Sequence, residues 1–157
     1  MRKINKQAGF TLIELIMVIV ILGVLSAFAL PRFADLGGNA RGASINGLAA
    51  SLKAAANIAH AQTLANGGAQ DDDVDLEGAT ITMIGFYPIA SAAGITSAAQ
   101  VDTTNDYAAT AGGTGVATTI TYSLSGGTGT CQVAYTSADH TVDPPTVASV
   151  LVDITGC

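Results

Sequence analysis

Residues 10–30 read FTLIELIMVIVILGVLSAFAL, 21 positions with one charged side chain, Glu14. No other stretch constrains the chain as strongly. As an α-helix it spans about 31 Å, roughly the hydrocarbon thickness of a bilayer. Arg2, Lys3 and Lys6 precede the run and no basic residue lies inside it. The excess of positive charge on that side predicts that residues 1–9 are cytoplasmic and that everything after about residue 33 lies across the membrane. A secretory signal peptide also starts with basic residues and an apolar stretch, and Ala27 and Ala29 could imitate its cleavage site. That reading leaves Glu14 unexplained, because a carboxylate weakens an insertion signal.

Charge is distributed unevenly over the 157 residues. The formal net charge is -6, yet no Lys or Arg follows Lys53, and ten of the twelve acidic residues lie beyond it. So acidic a C-terminal region repels phosphate backbones, which argues against direct nucleic-acid binding. Apolar residues make up 49% of the chain but aromatics only 5%, with no Trp. Such a composition suits a long Ala-rich helix followed by a small β-rich unit better than a large core. Two cysteines, Cys131 and Cys157, both fall in the part expected to be exported, where a disulfide is the simplest reading. Closing that loop is worth about 3.5 kcal/mol in the chain-entropy model. The chain has neither CxxC nor CxxCH, so a zinc ribbon and covalent haem both lack ligands, and no cofactor is expected.

The segment GFTLIE at 9–14, with basic residues before it and about twenty apolar residues after it, resembles the class III leader of type IV pilins and the related pseudopilins. The stretch PRFADLGGNARGASINGLAASLKAA at 31–56 further resembles mannose-sensitive haemagglutinin-type pilins. The resemblance covers residues 6–56. It implies that a prepilin peptidase cleaves between Gly9 and Phe10 and that the new amine of Phe10 is N-methylated. Cleavage ahead of the apolar run keeps that run in the mature protein. The implied organisation is a leader at 1–9, a transmembrane and filament-core helix at 10–33, and a globular head at 34–157. The implied partners are copies of the same chain in a helical filament, the peptidase, and an inner-membrane assembly machinery driven by an ATPase motor. Membrane lipid surrounds the helix before assembly. The precursor would sit in the inner membrane with a cytoplasmic N-terminus, and the filament outside the cell, serving adhesion or motility.

Glu14 then has a physical role. A new ammonium at Phe10 and a carboxylate at Glu14 are each costly in an apolar medium. At about 4 Å they attract by roughly 4 kcal/mol at an effective dielectric near 20. Phe10 and Glu14 are one helical turn apart, so pairing within a chain is feasible. Pairing between chains would also fix the axial register of an incoming subunit.

Gly23 and Pro31 lower helix propensity and predict a kink or a stretch able to unwind. The DLGGNARGAS segment at 35–44 reads as a possible hinge. Ile45, Leu48, Leu52, Ala55 and Ala59 then recur at helical spacing, and Asn66-Gly67-Gly68 reads as a stop. The helix is predicted over 10–66, on the order of 85 Å long. Strands are predicted at 79–89, 118–125, 130–137 and 148–155, with a hairpin at 126–129 and a turn around Pro144-Pro145. Residues 90–117, small and polar, read as a surface loop. The fold class is α+β, with the long helix packed on an antiparallel sheet of about four strands.

DDDVDLE at 71–77 places Asp71, Asp73, Asp75 and Glu77 at alternate positions. Oxygen clusters suit Ca²⁺, but Leu76 and the absence of a twelfth-position Glu break the EF-hand template, and a solvated acidic turn explains the pattern. His60 and His140 stand isolated, and no Ser/His/Asp or Cys/His set can be assembled, so an enzyme is not expected. Phe10, Phe28 and Phe33 are read as packing residues. The 103–130 stretch, rich in Thr and Ser, could take O-linked sugar. Two alternatives to a pilus subunit remain: a major pseudopilin of a type II secretion system, and a monomeric membrane-anchored adhesin or binding protein.

Overall fold

The computed structural model describes residues 9–126 and 130–157, with backbone only at 30–35. The expected leader up to residue 8 and the expected hairpin tip at 127–129 lie outside the described residues. The chain divides into two units, the first ending at Gly38 and the second running over Asn39–Cys157.

A single helix, α1, runs over Leu12–Asn66. Both ends are closed by local chemistry. At the start, the Thr11 amide and hydroxyl donate to Glu14 Oε2 at 2.9 and 2.6 Å, and the Glu14 amide points back at Thr11 Oγ1. This is the reciprocal capping box of a T-x-x-E sequence. At the far end, Gly67 has φ +64°, its amide donates to Leu64 O, and the Gly68 amide donates to Thr63 O. The pattern is a Schellman stop, which needs the left-handed conformation glycine adopts freely. Between the two ends the helix is unbroken at Gly23, at Pro31 and through 35–44. The expected kink and hinge therefore do not interrupt the helical backbone of this single chain. Pro31 removes one hydrogen bond from a 55-residue ladder, and the flanking bonds carry the backbone through.

In the second unit the helix buries one face. Ile45, Leu48, Leu52, Ala55 and Ala59 are all buried, as their spacing predicts. Ile45, Leu48 and Leu52 pack into one cluster with Ile120, Tyr122, Val133 and Tyr135. Those partners come from an antiparallel sheet. Its strands β5 (Tyr107–Ala111), β6 (Thr119–Leu124), β7 (Gln132–Thr136) and β8 (Ser149–Asp153) lie in the order β5-β6-β7-β8. Tyr122 faces Val133 and Val133 faces Val152, so the alternating apolar positions line one side.

The expected strand at 79–89 is not part of that sheet. It is split between two tight hairpins. In one, β1 (Val74–Leu76) pairs with β2 (Ala79–Ile81); in the other, β3 (Met83–Ile84) pairs with β4 (Tyr87–Pro88). Glu77-Gly78 and Gly85-Phe86 form the turns, all four residues at positive φ. Two consecutive left-handed residues match the twist of a two-residue hairpin, which a single long strand could not accommodate. The expected loop at 90–117 is also corrected. It supplies edge strand β5, and its first part is structural: Ala90, Ile95 and Thr96 are buried. Ala92–Thr96 forms a short helical turn, tight enough that a Cβ on Gly94 would fall 2.2 Å from Ile89 O.

Two sheet tyrosines hold this segment down. Tyr122 Oη and Thr96 Oγ1 share a buried hydrogen bond at 2.6 Å, and Tyr135 Oη donates to Pro88 O at 2.7 Å. Burial pushes both phenols up from their ordinary pKa. Replacing Tyr135 with Phe leaves the Pro88 carbonyl buried without its donor. We expect Tyr135→Phe to cost about 1–2 kcal/mol in urea denaturation of the head.

Three surface turns depend on ionised carboxylates. Asp102 accepts from the Asn105 side chain and from the Asn105 and Thr104 amides; Asp139 accepts from the Thr141 hydroxyl and amide; Asp153 accepts from the Thr155 hydroxyl and amide. The side-chain bonds foremost, then the amides, hold all three below the usual Asp pKa. Their contribution is fully present above the unfolded-state value and is lost as pH falls through the lowered folded value. Hydrogen exchange at the Thr104, Thr141 and Thr155 amides should therefore accelerate only when pH drops below the ordinary Asp range, beyond the general pH trend of exchange.

Candidate functional site

The first turn of α1 is where the apolar segment meets its one charge. Phe10 is 92% exposed. In the chain as it stands its nitrogen belongs to a peptide bond and carries no charge. Thr11 caps the helix, and Glu14 answers from the third helical position with both Thr11 bonds on one oxygen, Oε2. From there Leu12–Ala29 is long and apolar enough to cross a membrane, and none of it is buried within the chain. Ser26, the polar exception near its end, returns its hydroxyl to Leu22 O at 2.7 Å and presents no unsatisfied donor. A Cβ on Gly23 would meet nothing within 4 Å. Sequence reasoning singled out Glu14 for its charge and missed Thr11, although T-x-x-E ahead of an apolar run is itself a legible capping signal.

A second locus ties the end of the sheet to the helix. Cys131 and Cys157 are disulfide-bonded. Arg41 on α1 donates to Cys157 O from Nε at 2.9 Å and from Nη2 at 2.6 Å. A Cβ on Gly42 would sit 3.9 Å from Cys157 Sγ, so the helix passes close over the bridge. Nothing in the sequence pattern marks Arg41, which lies 116 residues from its partner.

The acidic run does not gather. Asp71 accepts from the Gly85 amide at 2.9 Å, Asp73 from the Met83 amide at 3.2 Å, Asp75 from the Thr80 hydroxyl at 3.0 Å and Glu77 from the Gln100 amide group at 2.7 Å. Three of these carboxylates tie together parts of the two hairpins, and Glu77 ties the first hairpin to Gln100. Among the described residues no three His, Cys, Asp or Glu side chains converge as a metal site. The two histidines, distant in sequence, line one pocket with Phe86 and Tyr87. His60 stacks on the Tyr87 ring at 4.4 Å and contacts Phe86 O through Nδ1 at 3.0 Å.

Comparison with known proteins bears on the first locus. The sequence pattern of the family described as "Prokaryotic N-terminal methylation motif" matches residues 4–30. The type IV narrow pilus major component PilA5 of Thermus thermophilus is 49% identical over 57 residues, 36% of this chain and 49% of that one. The type IV major fimbrial protein FimA of Dichelobacter nodosus is 35% identical over 98 residues, 61% of this chain and 59% of that one. The chain is similar to type IV pilins over its N-terminal part, where the motif and the long apolar helix lie. It also matches the type II secretion system core protein G of Vibrio cholerae, 53% identical over 32 residues, 20% of this chain and 22% of that one. The chain thus spans about half to three fifths of the length of the first two relatives. No solved structure matches it. Both of these first relatives are, by name, major components of pili or fimbriae.

Proposed function

We propose that this protein is a pilin, the structural subunit of a helical type IV filament. The observation that carries the reading is the membrane-length segment Leu12–Ala29, apolar on every side, unburied by its own chain and continuous with a folded head. Such a surface needs either lipid or copies of itself around it. In this reading residues 1–9 are a leader that a prepilin peptidase removes between Gly9 and Phe10, and the released Phe10 amine is N-methylated. Residues 10–33 pass from membrane to filament core, and 34–157 form the head. An inner-membrane machinery with an ATPase motor drives the transfer.

Release of the leader changes the first turn of α1. The Phe10 nitrogen becomes a cation one turn from Glu14. A carboxylate has a second oxygen, so Glu14 can keep its Thr11 bonds on Oε2 and still take the amine of an incoming subunit. Gly23 and Pro31 are then the places where α1 unwinds once neighbouring helices replace lipid. In the head, the bond between Cys131 and Cys157 suits a protein that works outside the cell. Adhesion or motility is the use we assign to the filament.

The test is mass spectrometry of the mature N-terminus together with microscopy of cells lacking the gene. A chain beginning at N-methylated Phe10 and loss of surface fibres are expected. An intact leader, or a segment removed with the leader, overturns the reading. The match to a secretion core protein supports a second form of it, a short pseudopilus, distinguished by loss of secretion without loss of surface fibres. Sheared fibres composed mainly of this chain would decide against a monomeric membrane-anchored adhesin.

A further inference from the structure

The sequence holds two Asn-Gly pairs, Asn46-Gly47 and Asn66-Gly67. All four residues are exposed to solvent. Chemically the pairs are alike. A glycine after asparagine leaves its backbone amide unshielded, and that nitrogen can close a five-membered ring on the asparagine Cγ. The fold treats the two pairs differently.

Asn46 and Gly47 lie in the interior of α1. Helical φ and ψ aim the Gly47 amide along the axis, at the carbonyl four residues back and away from the Asn46 side chain. Turning it onto Cγ requires the helix to open in mid-span. Asn66 is the last residue of α1, and Gly67 has left the helix with φ +64°. The stop is held by the Gly67 amide on Leu64 O at 3.2 Å and the Gly68 amide on Thr63 O at 3.1 Å. A Cβ on Gly67 would meet nothing within 4 Å, so this turn has room to move. A helix end opens at little free-energy cost, whereas a packed mid-helix turn does not. Among the described residues the Asn66 side chain makes one hydrogen bond, taken up by Oδ1 from Gln62 Nε2 at 3.3 Å. That donor sits on the oxygen that gains negative charge when Cγ is attacked.

We propose that Asn66 is a spontaneous modification site, deamidating through a cyclic imide with Gly67, while the helix around Asn46 keeps the second pair inert. The Gly67 amide nitrogen gives its proton to water and bonds to Asn66 Cγ. The Cγ–Nδ2 bond breaks, and Nδ2 takes a proton back from water and leaves as ammonia. A water molecule then opens the imide at either carbonyl. One opening gives aspartate; the other gives isoaspartate, with the main chain longer by one methylene. The sum is water consumed and ammonia released, with no change of oxidation state.

Either product puts a carboxylate where it is poorly tolerated. The C-terminal end of a helix carries partial negative charge, and no basic residue stands in the last turn of α1. Asp72 is close by: its Oδ2 accepts from the Ala69 amide at 2.7 Å and lies 3.4 Å from where a Cβ on Gly68 would be. Aged copies should therefore hold the junction between α1 and the first hairpin less firmly. The inference needs only the folded head and stands apart from the filament reading.

The experiment incubates the purified full chain in detergent at mildly alkaline pH and follows its peptides by mass spectrometry. The mass gain of an amide-to-acid exchange should accumulate at Asn66 at least about tenfold faster than at Asn46, with isoaspartate among the products. With the head unfolded in urea the two rates should converge, because the helix that separates them is gone. Asn66→Gln, too long to close the five-membered ring, should abolish the gain in that peptide. Hydrogen exchange at the Gly68 amide should be faster in aged than in fresh protein, and ageing should leave it unchanged in Asn66→Gln. A gain at Asn66 in urea but not in the folded chain overturns the proposal, since the fold would then protect the site. Equal rates at Asn46 and Asn66 in the folded chain overturn it as well.

Discussion

Glu14→Gln abolishes fibres and leaves cleavage after Gly9 intact; this is the result expected if a charge pair at the filament core sets subunit register. The choice of Gln matters. Glu14 closes the cap with Thr11, and in the proposed filament it has a second, separable job, offering a negative charge to an amine. Gln still accepts a hydrogen bond from the Thr11 amide, so the cap persists while the charge goes. An attraction of about 4 kcal/mol at close range corresponds to roughly a thousandfold in the equilibrium for adding each subunit. Thr11→Val makes the converse change, losing the hydroxyl half of the cap while keeping the charge. It should cost about 1 kcal/mol at most and leave visible fibres. Electron microscopy of shear fractions, with N-terminal mass spectrometry of the retained subunit, reads both. Fibres of normal number from Glu14→Gln, or loss of fibres from Thr11→Val alone, would show that the cap and not the charge governs assembly.

Cys131→Ser with Cys157→Ser should strongly destabilise the head, since it removes the bridge and touches the core cluster to which Cys131 belongs. The bridged residues are 26 apart in sequence. A loop of that size is worth about 3.5 kcal/mol in the chain-entropy model. For a unit of this size that lowers Tm by about 15 °C. The loss should also be local. Without the bridge, the Cys157 end is held by strand β8 and by the Thr130–Thr155 hydroxyl bond, so hydrogen exchange should rise in 149–157 before it rises in β6 or β7. A uniform rise across the sheet, or a Tm change below about 4 °C, would contradict this.

The parts of the fold that sequence reasoning recovers are those where one physical pattern repeats. Ile45, Leu48, Leu52, Ala55 and Ala59 hold a helical period over fifteen positions, and all five are buried. Ile120 and Tyr122, then Val133 and Tyr135, alternate within strands whose other side is more open, and they are found as strands. The misses have equally physical causes. YAATA at 107–111 forms edge strand β5, mostly exposed, so it has neither alternation nor bulk to announce it. The 79–89 run looks continuous because its residues favour strands. Yet Phe86 is left-handed, a conformation residue type alone does not foretell. The burial of Thr96 and of Pro88 just before this stretch involves contacts with Tyr122 and Tyr135, which are 26 and 47 residues from their partners. At the candidate site, the carboxylate was legible as an anomaly in an apolar run. Arg41 was not, because its role depends on a partner at the far end of the chain.

The tie between Arg41, Cys157 and Cys131 also sets where a pull would be felt. Tension arriving along α1 at Arg41 reaches Cys157 through two hydrogen bonds and crosses the covalent bridge to Cys131. Cys131 adjoins β7, an inner strand bonded on both sides by β6 and β8. The load therefore enters the sheet at its middle, where two neighbours resist sliding together, and the outermost strand is not peeled away one bond at a time.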